Sequence, residues 1–302
     1  MLKPINLQEA VAAAELNGLA QTRRAMRALL AAPKARAQGL ARVEDVSVGG
    51  AAGVLPARYY EAPHAHPGPL LVYFHGGGFC ICDIDTHDSI CSHLAMASGG
   101  RVLSVGYRLA PEARYPAQLE DAKAAGAWAL KHAVTFGAAP DRIAVGGDSA
   151  GAYLAANVAS AFNALAPGAV ALQVLFYPLV HIEDSVWAEE ELRNFRFLGR
   201  LAVYFIGRNL GAKQFPSLLD LDHACAPPTI IAGGGPMDPV RADVKAYADR
   251  LRRSGVRVLE KKYQALMHGG LNFTAYSKTA LAALAEVGGL IRGELAPPAA
   301  GG

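Results

Sequence analysis

The stretch "RIAVGGDSAGAYLAANVASAFNAL", Arg142 to Leu165, decides the fold, because its hydrophobic pattern changes period part-way along. The first residues form a short apolar run of β type, and from Ala152 onward the chain is rich in alanine and leucine, a helix former. Between them Ser149 sits inside G-x-S-x-G, flanked by Gly147 and Gly151. A strand that turns into a helix this abruptly leaves no room for side chains at the flanking positions, and it lifts the serine hydroxyl clear of the sheet. With 32 glycines and 11 serines in the chain, the pattern arises by chance roughly 0.1 times per chain, so the strand-then-helix context carries much of its meaning. A serine that only caps the helix would explain Ser149 without explaining both glycines.

Upstream, "LLVYFHGGGF" (Leu70 to Phe79) is a buried-strand pattern running straight into three glycines behind His75. H-G-G-G is expected by chance roughly 0.01 times per chain, about tenfold more rarely than the serine motif. Acyl transfer develops an oxyanion that N–H donors must meet, and a glycine loop lets the backbone approach it without a side chain in the way. His75 then braces the loop. A glycine hinge without function is the competing reading.

Working outward, β-type runs occur at 43–48, 57–62, 70–74, 101–105, 142–147, 172–177, 229–234 and 256–263, and from the third onward helix-period segments separate them, near 86–98, 117–134, 150–165, 186–209, 239–253 and 274–292. This alternation predicts right-handed βαβ crossovers and a mostly parallel eight-stranded sheet with helices on both faces. Residues 5–32 predict one or two further helices, closed by Pro33. The connection from Tyr177 to Thr229 is too long for a plain crossover and carries Trp187, Phe195, Phe197, Tyr204 and Phe205. It reads as an inserted helical cap paired with the N-terminal helices; an ordinary crossover helix with a long loop is the alternative. The expected organisation is 1–40 as the N-terminal part of the cap, 41–180 as the first part of the catalytic core, 181–222 as the inserted cap and 223–302 as the second part of the core.

Composition narrows the partners. The chain has 52% hydrophobic and 18% charged residues, enough apolar material for a large core, and a net charge of +3 spread along its length. No nucleic-acid footprint follows from that. "RLRRSGVR" (Arg250 to Arg257) reads as the solvated end of a helix, where basic residues favour the last turn. No apolar run of 18 residues predicts a membrane span, and no apolar h-region follows Lys3, so the expectation is a cytoplasmic protein. Cys80, Cys82, Cys91 and Cys225 follow no metal or disulfide spacing, so reduced thiols and no metal are expected.

Serine needs a base at neutral pH, and the base needs an acid to orient it. Downstream of Ser149 the histidines are His181, His223 and His268. His181 and His223 flank the cap candidate, whereas His268 lies in the loop after the last strand, within reach of the carboxyl edge of the sheet. The acid should leave the sheet one strand earlier. Asp238 follows "TIIAGGGPM" there; Asp220 and Asp222 precede the strand and Asp243 falls in the next helix. Asp238 is also placed to cap that helix, with Pro239 at its first position.

These residues resemble the bacterial esterases related to hormone-sensitive lipase, the family IV carboxylesterases of the α/β-hydrolase superfamily. The resemblance is carried by "HGGGF" (75–79), "DTHDSICSHLA" (85–95), "YRLAPE" (107–112), "YPAQLED" (115–121), "GDSAG" (147–151), "DPV" (238–240) and "HG" (268–269), in order. It implies an α/β-hydrolase fold with a helical cap, and it implies Ser149 as nucleophile, Asp238 as orienting acid and His268 as base. The oxyanion hole it implies is Gly77, Gly78 and the amide of Ala150, with Gly76 as a neighbour. It implies no cofactor, and homodimers through the sheet edge or the C-terminal helix occur among such proteins. The chain departs from the family pattern at Arg241 and Ala242 after the acid, at Gly270 after the histidine, and at Ala152 beyond the serine motif.

The expected activity is hydrolysis of short-chain carboxylic esters, a small-molecule substrate, through an acyl-enzyme. Phe79, Phe195 and Phe205 are the expected pocket-lining residues, although aromatics on helices are more often core. Activity is expected to fall as His268 protonates, near or below the ordinary histidine pKa of about 6.5. An amidase or lactonase with the same triad is the alternative. A non-catalytic receptor on this fold, like the gibberellin receptors that lack the histidine, fits less well because His268 is retained.

Overall fold

The computed structural model describes residues 7–31, 35–182, 206–211 and 215–296. Its sheet has eight strands in the order β1-β2-β4-β3-β5-β6-β7-β8. β1 (Arg42–Gly50) and β2 (Gly53–Glu61) form an antiparallel hairpin, and β2 runs antiparallel to β4 (Arg101–Val105). β3 (Leu70–Phe74), β5 (Ile143–Asp148), β6 (Val170–Phe176), β7 (Thr229–Gly233) and β8 (Val258–Lys262) continue the sheet in parallel. All eight β-type runs of the sequence are strands, and the sheet is mostly parallel as expected.

The helices are α1 (Leu7–Leu30), α2 (Asp88–Ser98), α3 (Ala117–His132), α4 (Ala150–Leu165), α5 (Arg241–Arg253) and α6 (Lys278–Leu295). α2 packs against α6, while α3 and α4 pack together on the sheet. Covering both faces explains why β3 and β5 are buried along their whole length and why their sequences are continuous apolar runs without alternation. Gly146, Gly147 and Asp148 at the end of β5 are the exceptions, and they lead into the turn that follows.

Strand order sets where chemistry can occur. The chain leaves β3 for β4 on one side and returns to β5 on the other, so the loops from the carboxyl ends of β3 and β5 diverge and leave a crevice between them. His75 to Gly78 follow β3, and Ser149 follows β5. The sheet therefore delivers both sequence motifs to the same edge.

The long connection after β6 is pinned at its base, because the Leu218 N–H donates to the Val180 carbonyl (2.9 Å). Residues 206–210 are helical and Leu210 is fully buried. Residues 183–205 and 212–214 of the expected cap, with Trp187, Phe195, Phe197, Tyr204 and Phe205, lie outside the described residues. At the N-terminus one helix, α1, stands where one or two were expected, and no described helix is long and apolar enough to cross a membrane.

Candidate active site

Ser149 occupies the turn between β5 and α4 with φ 52° and ψ −116°, a left-handed conformation for a non-glycine residue. Such geometry costs about 1–3 kcal/mol and persists only where the surroundings over-determine it. Here they do. The Ser149 N–H donates to Phe176 O (2.9 Å), its carbonyl accepts from Leu179 N (3.1 Å) and Tyr153 N (3.2 Å), and a Cβ on Gly151 would stand 1.9 Å from Phe74 O. A Cβ on Gly147 would meet the Gly151 carbonyl carbon at 2.4 Å. Both glycines of the motif are thus dictated by the close approach of three backbone segments.

Ser149 Oγ lies 2.9 Å from His268 Nε2, and His268 Nδ1 lies 3.0 Å from Asp238 Oδ1. The tautomer that fits both contacts carries its proton on Nδ1, donated to Asp238, and leaves Nε2 to accept from the serine hydroxyl. Asp238 is fully buried; its Oδ1 also accepts from Val240 N (3.2 Å) and its Oδ2 from Gly234 N (3.1 Å). A Cβ on Gly234 would meet Asp238 Oδ2 at 2.4 Å and one on Gly235 would meet Gln264 O at 1.9 Å, so the glycine run lets the backbone close around the carboxylate. The neighbouring helix starts at Arg241 with Val240 as its cap and no side-chain capping bond, so the expected capping role shrinks to the bond from Asp238 Oδ1 to Val240 N.

Burial opposes a charged imidazole at 268, but the Asp238 carboxylate and its hydrogen bond, with Asp148 adding, outweigh it, and the His268 pKa is raised above the ordinary 6.5. The expectation of a pKa near or below 6.5 is corrected accordingly. A base must be neutral to accept a proton, and a raised pKa moves the loss of activity upward in pH. The acid limb of kcat/KM should therefore have its midpoint above pH 6.5, which a profile from pH 5 to 9 reads directly.

After β3, Gly77 (φ 107°) and Gly78 (φ 58°) turn the chain in the left-handed region, and a Cβ on Gly77 would strike Ile81 O at 2.2 Å. Among the described residues no acceptor takes the Gly77 or Gly78 N–H. Ala150 is the first residue of α4, where the N–H has no intrahelical partner. Gly76 stands apart, since its N–H is committed to Asp148 Oδ1 (2.9 Å). Gly78 is roofed by Ile206, whose Cδ1 would lie 2.8 Å from a Cβ there.

His75 is buried, donates from Nδ1 to the Gly76 carbonyl (2.8 Å) and stacks on Tyr107 at 4.3 Å. Burial, with His87 adding, pushes its pKa down to about 4, so it is a neutral bracket. Tyr107 in turn donates to His75 O (2.8 Å). The "YRLAPE" segment is itself fixed by Arg108, which forks onto the fully buried Asp121. Phe79, expected to line a pocket, has no exposed surface; it packs edge-on to Tyr153 and against Phe215, behind the glycine loop. Phe195 and Phe205 lie outside the described residues.

Sequence reasoning missed four side chains, Asp148, His87, Tyr177 and Arg23. Asp148 joins the serine turn to the glycine loop, accepting from Gly76 N and Tyr73 OH (3.0 Å) and facing His87 Nε2 (3.1 Å). Burial would raise its pKa, but His87 and the hydrogen bonds hold it below the usual range, so it is anionic. Tyr177 lies under the His268 ring at 4.9 Å. Arg23 reaches in from α1. The signal for Tyr177 was its position at the carboxyl end of the strand next to β5; Asp148 and His87 are hidden because one motif supplies each.

Residues 71–272 match the family model described as the alpha/beta hydrolase fold. The chain belongs to the α/β-hydrolase family. Within it, this hydrolase belongs to the branch related to hormone-sensitive lipase. It is 35% identical over 244 residues to the esterase LipI of Mycobacterium tuberculosis, covering 77% of this chain and 76% of that one. Over a shorter span of 131 residues, 41% of each chain, it is 43% identical to an ethyl acetate hydrolase of Pseudomonas putida. Among solved structures, the hyperthermophilic esterase of the archaeon Pyrobaculum calidifontis superposes with a TM-score of 0.83 at 31% identity, covering 91% of each chain.

Proposed function

We infer that this α/β hydrolase is a serine carboxylesterase acting on short-chain carboxylic esters. The observation that carries the reading is the unbroken line from Ser149 Oγ through His268 to Asp238, with contacts of 2.9 and 3.0 Å, at the edge where the glycine loop lies. Ser149 Oγ attacks the ester carbonyl while its proton passes to His268 Nε2, and Asp238 stabilises the imidazolium. The N–H groups of Gly77, Gly78 and Ala150 receive the developing oxyanion. When the tetrahedral centre collapses, the alcohol leaves with the proton from His268. Water then gives a proton to His268 and attacks the acyl-enzyme, and Ser149 recovers its hydrogen as the acid departs. His75 holds the loop in shape throughout. No step calls for a cofactor or a metal.

Residues 1–40 and 181–222 form the cap in this reading. The docking of α1 on the segment beyond the glycine loop and the seat of Ile206 over Gly78 support it. The names of the relatives, an esterase and an ethyl acetate hydrolase, support an ester of small acyl group. Free thiols at Cys80, Cys82, Cys91 and Cys225, three of them buried, suit a reducing cytoplasm.

A fluorophosphonate tests the assignment, since it phosphonylates only a serine activated in this way. One label per chain at Ser149, with loss of p-nitrophenyl butyrate hydrolysis in proportion, is the expected result. Hydrolysis that survives complete labelling overturns the reading. Matched ester and anilide substrates separate esterase from amidase, and the anilide should turn over far more slowly.

A further inference from the structure

We propose that Arg23 on α1 is a positioning residue for the oxyanion donors, so that the N-terminal helix sets the rate of the chemical step; this rests on the serine-esterase reading. Arg23 hydrogen-bonds from α1 into the framework of the glycine loop. Its Nε donates to Cys80 O (2.8 Å), its Nη2 to Ala110 O (2.9 Å), and its two terminal nitrogens fork onto Glu112 at 2.7 and 2.9 Å. Cys80 and Ala110 are buried, and among the described residues neither carbonyl accepts from another donor. Without the guanidinium two buried acceptors would lose their donor.

The link to the donors runs through rigid peptide planes. Cys80 C=O and Ile81 N–H share one plane; Arg23 holds its oxygen and Gly77 O accepts its N–H (3.0 Å). Gly77 C=O and Gly78 N–H share the next plane, so fixing that carbonyl aims the Gly78 donor. A parallel route exists. Ala110, held at its carbonyl by Arg23, donates from its N–H to Phe79 O (2.9 Å), and the plane of that oxygen carries Cys80 N–H, which also binds Gly77 O (3.1 Å). The fork geometry matters, because only a planar guanidinium meets two carbonyls and a carboxylate at once. A lysine reaches one of them.

The other arginine anchor of α1 supplies the control. Arg27 pairs with Asp83 and Asp85, beyond the loop, and touches none of these planes. Arg23→Gln and Arg23→Lys in the full chain should lower kcat for p-nitrophenyl butyrate about tenfold with KM within twofold, since misaimed donors lose stabilisation that exists only in the transition state. Binding of a trifluoromethyl ketone, which adds to Ser149 and develops the same oxyanion, should weaken about tenfold in parallel. Arg27→Gln should leave both unchanged. Should Arg23→Gln fail to fold, Arg23→Lys, which keeps the charge and one hydrogen bond, decides the matter. A fall in kcat without a change in ketone affinity, a rise in KM alone, or an equal loss in Arg27→Gln overturns the proposal. A wild-type chain that the ketone does not inhibit overturns the serine reading and this one with it.

Discussion

Ser149→Ala should lose on the order of 10⁶-fold in kcat toward p-nitrophenyl butyrate while melting at nearly the wild-type temperature. The two halves of that expectation have separate physical sources. Activity goes because no other described side chain stands in hydrogen-bonding contact with His268 Nε2, so the base has nothing to activate. Stability stays because the Ser149 side chain makes no capping bond to α4, and its backbone bonds to Phe176, Leu179 and Tyr153 survive the substitution. Alanine also tolerates the left-handed turn about as well as serine, since the strain at φ 52° belongs to the Cβ that both share. The residual rate over water comes from the donors alone, about 10³–10⁴-fold. Initial rates beside a thermal melt of the same preparation provide the check, and a folded variant retaining more than about one per cent of wild-type turnover rules out Ser149 as nucleophile.

Much of the architecture was legible because the core is built from long apolar runs separated by helical periods. β3 and the first half of β5, buried on both faces, advertise themselves as apolar runs without alternation, Leu70 to Phe74 and Ile143 to Val145. Their glycine-rich ends are legible for another reason: Gly77, Gly147 and Gly151 stand where a Cβ would enter a neighbouring backbone, as at Gly151 against Phe74 O. Steric necessity of that kind leaves a mark in the sequence. α1 was readable as helix, but nothing in its pattern says which of its arginines faces the loop.

The parts that were not legible depend on convergence in space. Asp148 looks like a filler between Gly147 and Ser149, yet it closes the contact between the serine turn and the glycine loop through Gly76 N. The glycines before Asp238 are the space into which the backbone folds around the carboxylate, a close approach that exists only once the chain has folded. Phe79, expected to line a pocket, has a positive φ of 63°, and its ring packs inward against Tyr153 and Phe215. The direction of the His268 pKa could not be read at all, because it is a contest between burial and two carboxylates that only meet in the folded chain.

That contest makes Asp238→Asn the second large effect. Asp238 faces only donors: His268 Nδ1 and Val240 N at Oδ1, and Gly234 N at Oδ2. An amide offers one acceptor and one NH₂ group, so one end must oppose a backbone or ring N–H. If the NH₂ turns toward His268, the imidazole shifts its proton to Nε2 and can no longer accept from Ser149. If it turns toward Gly234, two donors face each other in a buried site, at a cost of about 1–3 kcal/mol. Either way the charge that stabilised the imidazolium is gone, and kcat should fall about 10³–10⁴-fold. The pH profile tells this apart from simple disorder. With the Asp238 contribution removed, burial acts with less opposition and the His268 pKa falls, so the acid limb of the residual activity should move to lower pH than in wild type. A variant within tenfold of wild type, or one whose acid limb stays in place, would show that the carboxylate does not orient the base.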